Sequence, residues 1–209
     1  NAETPEHVPE SVTVLHRPLS HIYLVASAAM DYFDHLGAVG SIALSGLKAG
    51  DWYIESAKAA MEDGSMRYAG KYSAPDYEAI LESGCDLAIE NTMIYHTPEV
   101  IEQLQTTGVP VLVERSSYES SPLGRIEWLK LYGALVGKED AACAAYDALL
   151  AAVMEDLSAR YPREQVESIL MHEVIHWLRL MPYKLNKDRK RAAMFYAGLV
   201  MVANDVANF

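Results

Sequence analysis

A chain of 209 residues with 51% apolar side chains is long enough for one large domain and has ample material for a core. Its formal net charge of −12 argues against a general nucleic-acid binder, because phosphate contacts need a surplus of lysine and arginine. The two cysteines, Cys85 and Cys143, show no metal-ligand spacing and read as two separate buried thiols.

Asn1-Ala2 reads as a scar left by tag cleavage. The following Glu3–Ser11, with Pro5, Pro9 and three glutamates, reads as a flexible leader. Such a leader suits a tether to a membrane anchor and equally suits a frayed terminus. The opening residues are polar and acidic and carry no signal-peptide pattern. Val12–Leu15 is β-branched and predicts a short strand that stops before Pro18. Ser20 can cap a helix His21–Leu36 closed by Gly37. A strand Val39–Leu44, a glycine-containing loop Ser45–Asp51 and a helix Trp52–Glu62 follow. Arg67–Gly70 is a short strand or turn.

The clearest phrase is SAPDYEAILESGCDLAI: a helix Pro75–Ser83, a stop at Gly84, and a buried strand Asp86–Glu90. It is answered by TPEVIEQLQTTGVPVLVE. There Thr97-Pro98-Glu99 is a strong helix start, Gly108 ends the helix, and Val109–Glu114 is the next strand. Strands alternating with helices of this length imply a parallel sheet covered on both faces, an α/β fold whose ligands bind at the carboxyl ends of the strands. After the serine-rich loop Arg115–Pro122, Ile126, Leu129, Tyr132, Leu135 and Val136 keep a helical period to Gly137. A longer helix runs from Glu139 to about Tyr161. The remaining residues read as helices. Their longest apolar run, Ala192–Ala203, is about 18 Å long as a helix, too short to span a bilayer.

The ordered pieces LGAVG, YAG, PDYEAILESGCDLAI, VIEQLQTTGVPVLV and GRIEWLKLYGALVGKEDAA resemble the amino-terminal lobe and linker helix of class III periplasmic substrate-binding proteins of ABC importers, over residues 12–160. The resemblance implies a ligand-binding lobe over 12–122 and linker helices over 123–161, after the leader over 1–11; the sequence departs from the family over 162–209, which reads as a helical tail where a second lobe is truncated or replaced. It also implies an extracytoplasmic protein, periplasmic or anchored as a lipoprotein, that binds an iron–siderophore, haem or corrinoid ligand and serves a membrane permease. Glu78, on the predicted helix 75–83, is the implied permease contact; an ordinary solvated carboxylate is the plainer reading.

Loops expected at the strand ends carry His16, Arg17 and His21; Ser45, Trp52 and Tyr53; Met93, Tyr95 and His96; and Arg115, Ser116, Ser117 and Tyr118. From these, Arg17, His21, Trp52, Tyr53, Met93, Tyr95, Arg115 and Tyr118 form the expected ligand-binding set, with no catalytic residue. Guanidinium groups suit the oxygens of an anionic metal chelate, and rings offer flat faces to a large ligand. Alternatively, Arg17 and Arg115 pair with local acids such as Glu114 and Glu119. For haem, Tyr53, Met93, Tyr95 and His96 are the axial options.

A rival motif is His172-Glu173-Val174-Ile175-His176, which matches H-E-x-x-H. On a helix His172 and His176 could hold zinc while Glu173 activates water. The later carboxylates are Asp188 and Asp205 only, so a third ligand in the usual order is missing and a chance match is favoured over a zinc-dependent hydrolase. The basic run Lys187–Arg191 reads as a solvated helix start or a surface for an acidic partner or anionic lipid. A third reading is a one-lobe interaction module that dimerises through its helical tail.

Overall fold

The computed structural model describes residues 7–9, 12–119, 122–185 and 200. The rest of the expected leader, the basic run 187–191 and nearly all of the apolar run 192–203 lie outside the described residues. The described chain forms two compact units, Asn1–Ala148 and Leu149–Phe209.

In the first unit the elements are β1 (Ile22–Leu24), α1 (Met30–His35), β2 (Ile42–Ser45), α2 (Glu55–Glu62), β3 (Arg67–Tyr68), the hairpin β4 (Gly70–Lys71) and β5 (Ala74–Pro75), α3 (Tyr77–Glu82), β6 (Leu87–Glu90), α4 (Pro98–Thr106), β7 (Val111–Val113) and α5 (Pro122–Leu135). A long helix α6 (Glu139–Arg160) carries the chain onward to α7 (Arg163–Leu185) in the second unit. The main sheet has the order β3-β2-β1-β6-β7 with every pairing parallel. This is the α/β architecture expected from the strand–helix alternation.

The central strands read as continuous apolar runs because both faces are covered. Ile22, Leu24, Ile42, Leu87 and Ile89 turn to one face, where α1, α2 and α5 contribute Met30, Phe33, Ala57, Leu129 and Tyr132. Tyr23, Val25, Leu44 and Ala88 turn to the other, against Ile80 of α3 and Val100 and Leu104 of α4. Leu135, Val136 and Ala142 belong to the first of these cores, so α5 and the start of α6 pack onto it. The two helices approach so closely that a Cβ on Gly133 would lie 2.4 Å from that of Ala142.

Two elements differ from expectation near the start. The predicted helix His21–Leu36 is the central strand β1, a 3₁₀ turn Ser27–Ala29 and the short α1. The run Ile22-Tyr23-Leu24-Val25-Ala26 is buried throughout, and a β-branched and aromatic stretch buried on both sides is strand material. Val12–Leu15 is not a strand; Val12 and Val14 are exposed. Of the two thiols expected to be buried, Cys85 is largely covered and burial pushes it up to about 11. Cys143 is exposed, because α6 turns Ala142 and Tyr146, not Cys143, inward. Among the described residues no helix is long and apolar enough to cross a membrane.

Candidate ligand-binding rim

Strands β1 and β6 lie side by side, yet the chain leaves β1 toward β2 and leaves β6 toward β7. Their connections therefore diverge over opposite faces, and in α/β sheets the carboxyl ends beside such a divergence are where ligands bind. At this edge the loops after β2, β6 and β7 carry candidate residues.

The loop after β2 is braced from within. Ser45 Oγ donates to the Leu47 carbonyl at 2.7 Å and accepts from Leu47 N at 3.0 Å and from Trp52 Nε1 at 3.1 Å. Trp52 is 4% exposed, so its ring belongs to the core and not to the expected ligand-binding set. The adjacent Tyr53 is 94% exposed. Lys48, in the same loop, holds its ammonium 5.6 Å from the ring centre of Tyr68 at the end of β3.

The loop after β6 begins with Asn91, whose Oδ1 accepts from Met93 N at 2.9 Å and starts a 3₁₀ turn Thr92–His96. Ile94 is buried and anchors the turn, leaving Met93, Tyr95 and His96 facing water. Thr92 Oγ1 and Tyr118 Oη are 2.7 Å apart, which ties this loop to the one after β7. There the buried Glu114 accepts from Ser116 N at 2.5 Å. Arg125, reaching back from α5, donates to the Ser116 and Ser117 carbonyls at 3.3 and 3.0 Å. Arg115 is exposed, its guanidinium 5.9 Å from the Tyr118 ring centre. The rim thus presents Tyr53, Met93, Tyr95, His96, Arg115 and Tyr118 on braced loops.

Arg17 and His21 do not join them. Both precede β1, at the amino edge of the sheet. Arg17 donates to the Ala134 carbonyl at 2.6 Å and pairs with Glu139. His21 N, with Ser20 N, donates to Asp86 just before β6, at 3.0 and 2.9 Å. Arg17 therefore follows the alternative reading, pairing with an acid, though with Glu139 at the start of α6. A parallel strand has one direction, so residues before it and residues after it lie at opposite edges.

Glu90 escaped notice in the sequence because a carboxylate ending a strand is expected to reach water. It is 0% exposed and neither carboxylate oxygen has a hydrogen-bond partner among the described residues. Burial lifts its carboxyl to about 8. The signal was present in Leu-Ala-Ile-Glu: continuing the alternation, Glu90 shares the face of Ala88. Glu78 is exposed on the first turn of α3, whose cap is Asp76 accepting from Ala79 N at 3.1 Å.

In the second unit, the H-E-x-x-H residues lie on α7. His172 Nδ1 is 2.6 Å from the Ser168 carbonyl oxygen, while the side chains of Glu173 and His176 lie outside the described residues. No group of three or more His, Cys, Asp or Glu among the described residues is arranged to hold a metal.

No family model matches the chain. An uncharacterized lipoprotein of Methanocaldococcus jannaschii is 23% identical over 144 residues, covering 64% of this chain and 33% of the relative. Among solved structures, a candidate iron-binding (periplasmic solute-binding) protein of Staphylococcus epidermidis superposes with a TM-score of 0.53 at 15% identity, covering 70% of this chain and 54% of that one. The triscatecholate siderophore-binding protein of Bacillus subtilis gives 0.53 at 15%, covering 73% and 50%. The molybdate periplasmic binding protein of Haemophilus influenzae gives 0.54 at 13%, covering 72% and 52%. The chain spans a third of the lipoprotein and about half of these structures. At such identities the likeness is one of fold: an α/β lobe like that of the class III periplasmic binding proteins.

Proposed function

We propose that this chain is the ligand-gripping lobe of an extracytoplasmic solute-binding protein that delivers a metal chelate to a membrane permease. The observation that carries this reading is the braced rim at the carboxyl edge, where Tyr53, Tyr95, Arg115 and Tyr118 stand exposed on a fold shared with binding proteins. The related lipoprotein supports a position on the outer face of the cytoplasmic membrane.

Capture is non-covalent. Arg115 supplies a fixed positive charge to ligand oxygens, and its place over Tyr118 keeps the guanidinium ordered before the ligand arrives. The tyrosines and Met93 supply apolar faces with polar tips, which suit an iron complex, haem or a corrinoid. Chemistry on the ligand has no part in this mechanism, and the solved relatives are binding proteins. Glu78, exposed at the start of α3, is the proposed permease contact.

The test is a titration of the full chain with ferric siderophores, haemin and cobalamin, followed by tryptophan fluorescence. Saturable quenching is expected, shifted to higher ligand concentration in Tyr118→Ala and Arg115→Ala. A flat response across the whole panel from protein shown to be folded would overturn the reading.

A further inference from the structure

The binding role assigned to the rim makes no use of Glu90, the most unusual ionisable group in the first unit. It ends β6 directly below the loop 91–97 that carries Met93, Tyr95 and His96. Its side chain lies on the sheet face of Tyr23 and Ala88, which packs against Ile80 of α3 and Val100 of α4 in a mainly apolar layer. Water does not reach it, and neither oxygen meets a donor among the described residues.

Among the described residues the groups around it offer no positive charge. Tyr23 on β1 and Tyr77 on α3 both lie near enough for the Glu90 charge to push their phenols upward. Tyr68 on β3 and Cys85 before β6 flank Tyr23, and Glu99 on α4 flanks Tyr77. The Tyr23 hydroxyl is already committed to the Gly70 carbonyl at 2.9 Å. The β7 residues Val111 and Val113 bring only apolar side chains to this face. A carboxylate in such a place has neither solvent nor a counter-charge, and the acid form is the one this packing admits.

We propose that Glu90 is a proton-operated latch beneath the rim: as the neutral acid it stays packed under loop 91–97, and on ionising it leaves the apolar layer and carries that loop with it. The step is a single proton exchange with solvent and needs no other reactant. Its effect on ligand capture rests on the role proposed for the rim; the latch itself does not.

The sign follows from linkage. The folded chain keeps the Glu90 proton up to about pH 8, whereas an unfolded chain releases it near the ordinary glutamate value of about 4.3. Between these values the folded state binds more protons, so this group stabilises the fold at low pH and that contribution is lost as pH rises toward 8.

Two measurements on the full chain without any ligand test the latch. In the first, carbon-13 NMR of the glutamate carboxyls is followed from pH 4 to 10 together with the amide signals of Asn91–His96. Glu90 is expected to titrate near 8, apart from the exposed glutamates, and the loop amides to move with the same midpoint. In the second, urea unfolding of wild type is compared with Glu90→Gln. The folded-to-unfolded ratio of wild type should fall, relative to the variant, by up to about tenfold per pH unit between 5 and 8. Should Glu90→Gln fail to fold, the wild-type NMR titration decides alone. Titration of Glu90 with the other carboxyls, or loop amides that ignore its ionisation, would overturn the proposal, whatever the ligand panel shows.

Discussion

Two buried tyrosines of equal size should respond oppositely to the same substitution. Tyr132 is 0% exposed, its ring 5.2 Å from Tyr32 and 5.1 Å from Phe33, and among the described residues no group accepts from its hydroxyl. Burial and the neighbouring Glu114 charge push its phenol far upward. Tyr23 is equally buried, but its hydroxyl donates to the Gly70 carbonyl at 2.9 Å. Phenylalanine keeps both rings and all ring contacts, so only the hydroxyl balance changes. An unpaired buried hydroxyl costs about 1–3 kcal/mol, and Tyr132→Phe should recover about 1 kcal/mol of it, raising Tm by roughly 2–4 °C. Tyr23→Phe removes a hydrogen bond and strands a carbonyl, for a loss of about 1–2 kcal/mol. Urea unfolding at pH 7, with the slope checked for constancy, measures both. Equal losses in the two variants would refute this hydroxyl bookkeeping and mean that Tyr132 has a partner after all.

Gly70 has φ of 86°, and a Cβ there would lie 2.2 Å from the Ala74 carbonyl oxygen. Gly70→Ala should therefore cost more than about 2 kcal/mol, left-handed backbone strain and the clash combined; a wild-type urea midpoint would contradict this. Arg115→Ala is expected to weaken binding of whichever anionic chelate answers the titration by about tenfold, the worth of one charge-assisted contact. Arg17→Ala should leave that affinity unchanged and remove only an exposed ion pair to Glu139, worth about 0–1 kcal/mol, and the hydrogen bond to the Ala134 carbonyl. Comparable loss from both would mean that the amino edge contributes to the site. Glu78→Ala should keep ligand affinity while lowering uptake in cells that carry the cognate permease, and undiminished uptake would remove it as the docking residue.

The sequence by itself settled the second half of the sheet. Thr97-Pro98 starts α4, Gly84 and Gly108 adopt the positive φ that ends their helices, and the runs before and after them are strands. Those signals are local, written in residues a few positions apart. The positions of Tyr53, Met93, Tyr95, Arg115 and Tyr118 after strands were legible in the same way, since each follows a strand that could be recognised. Only the tertiary structure decided the rest. The run Ile22–Ala26 is apolar without a period, and its identity as the central strand comes from neighbours on both sides, β2 and β6. Placing the first strand at 12–15 put Arg17 and His21 after a strand; placing it at 22–24 puts them before one. Because a parallel strand has a fixed direction, that shift moved both residues to the far edge of the sheet. Trp52 turning inward onto Ser45, and Glu90 held dry at the end of β6, depend likewise on side chains distant in sequence. Burial is a property of what packs on a residue, and no window of neighbouring residues contains it.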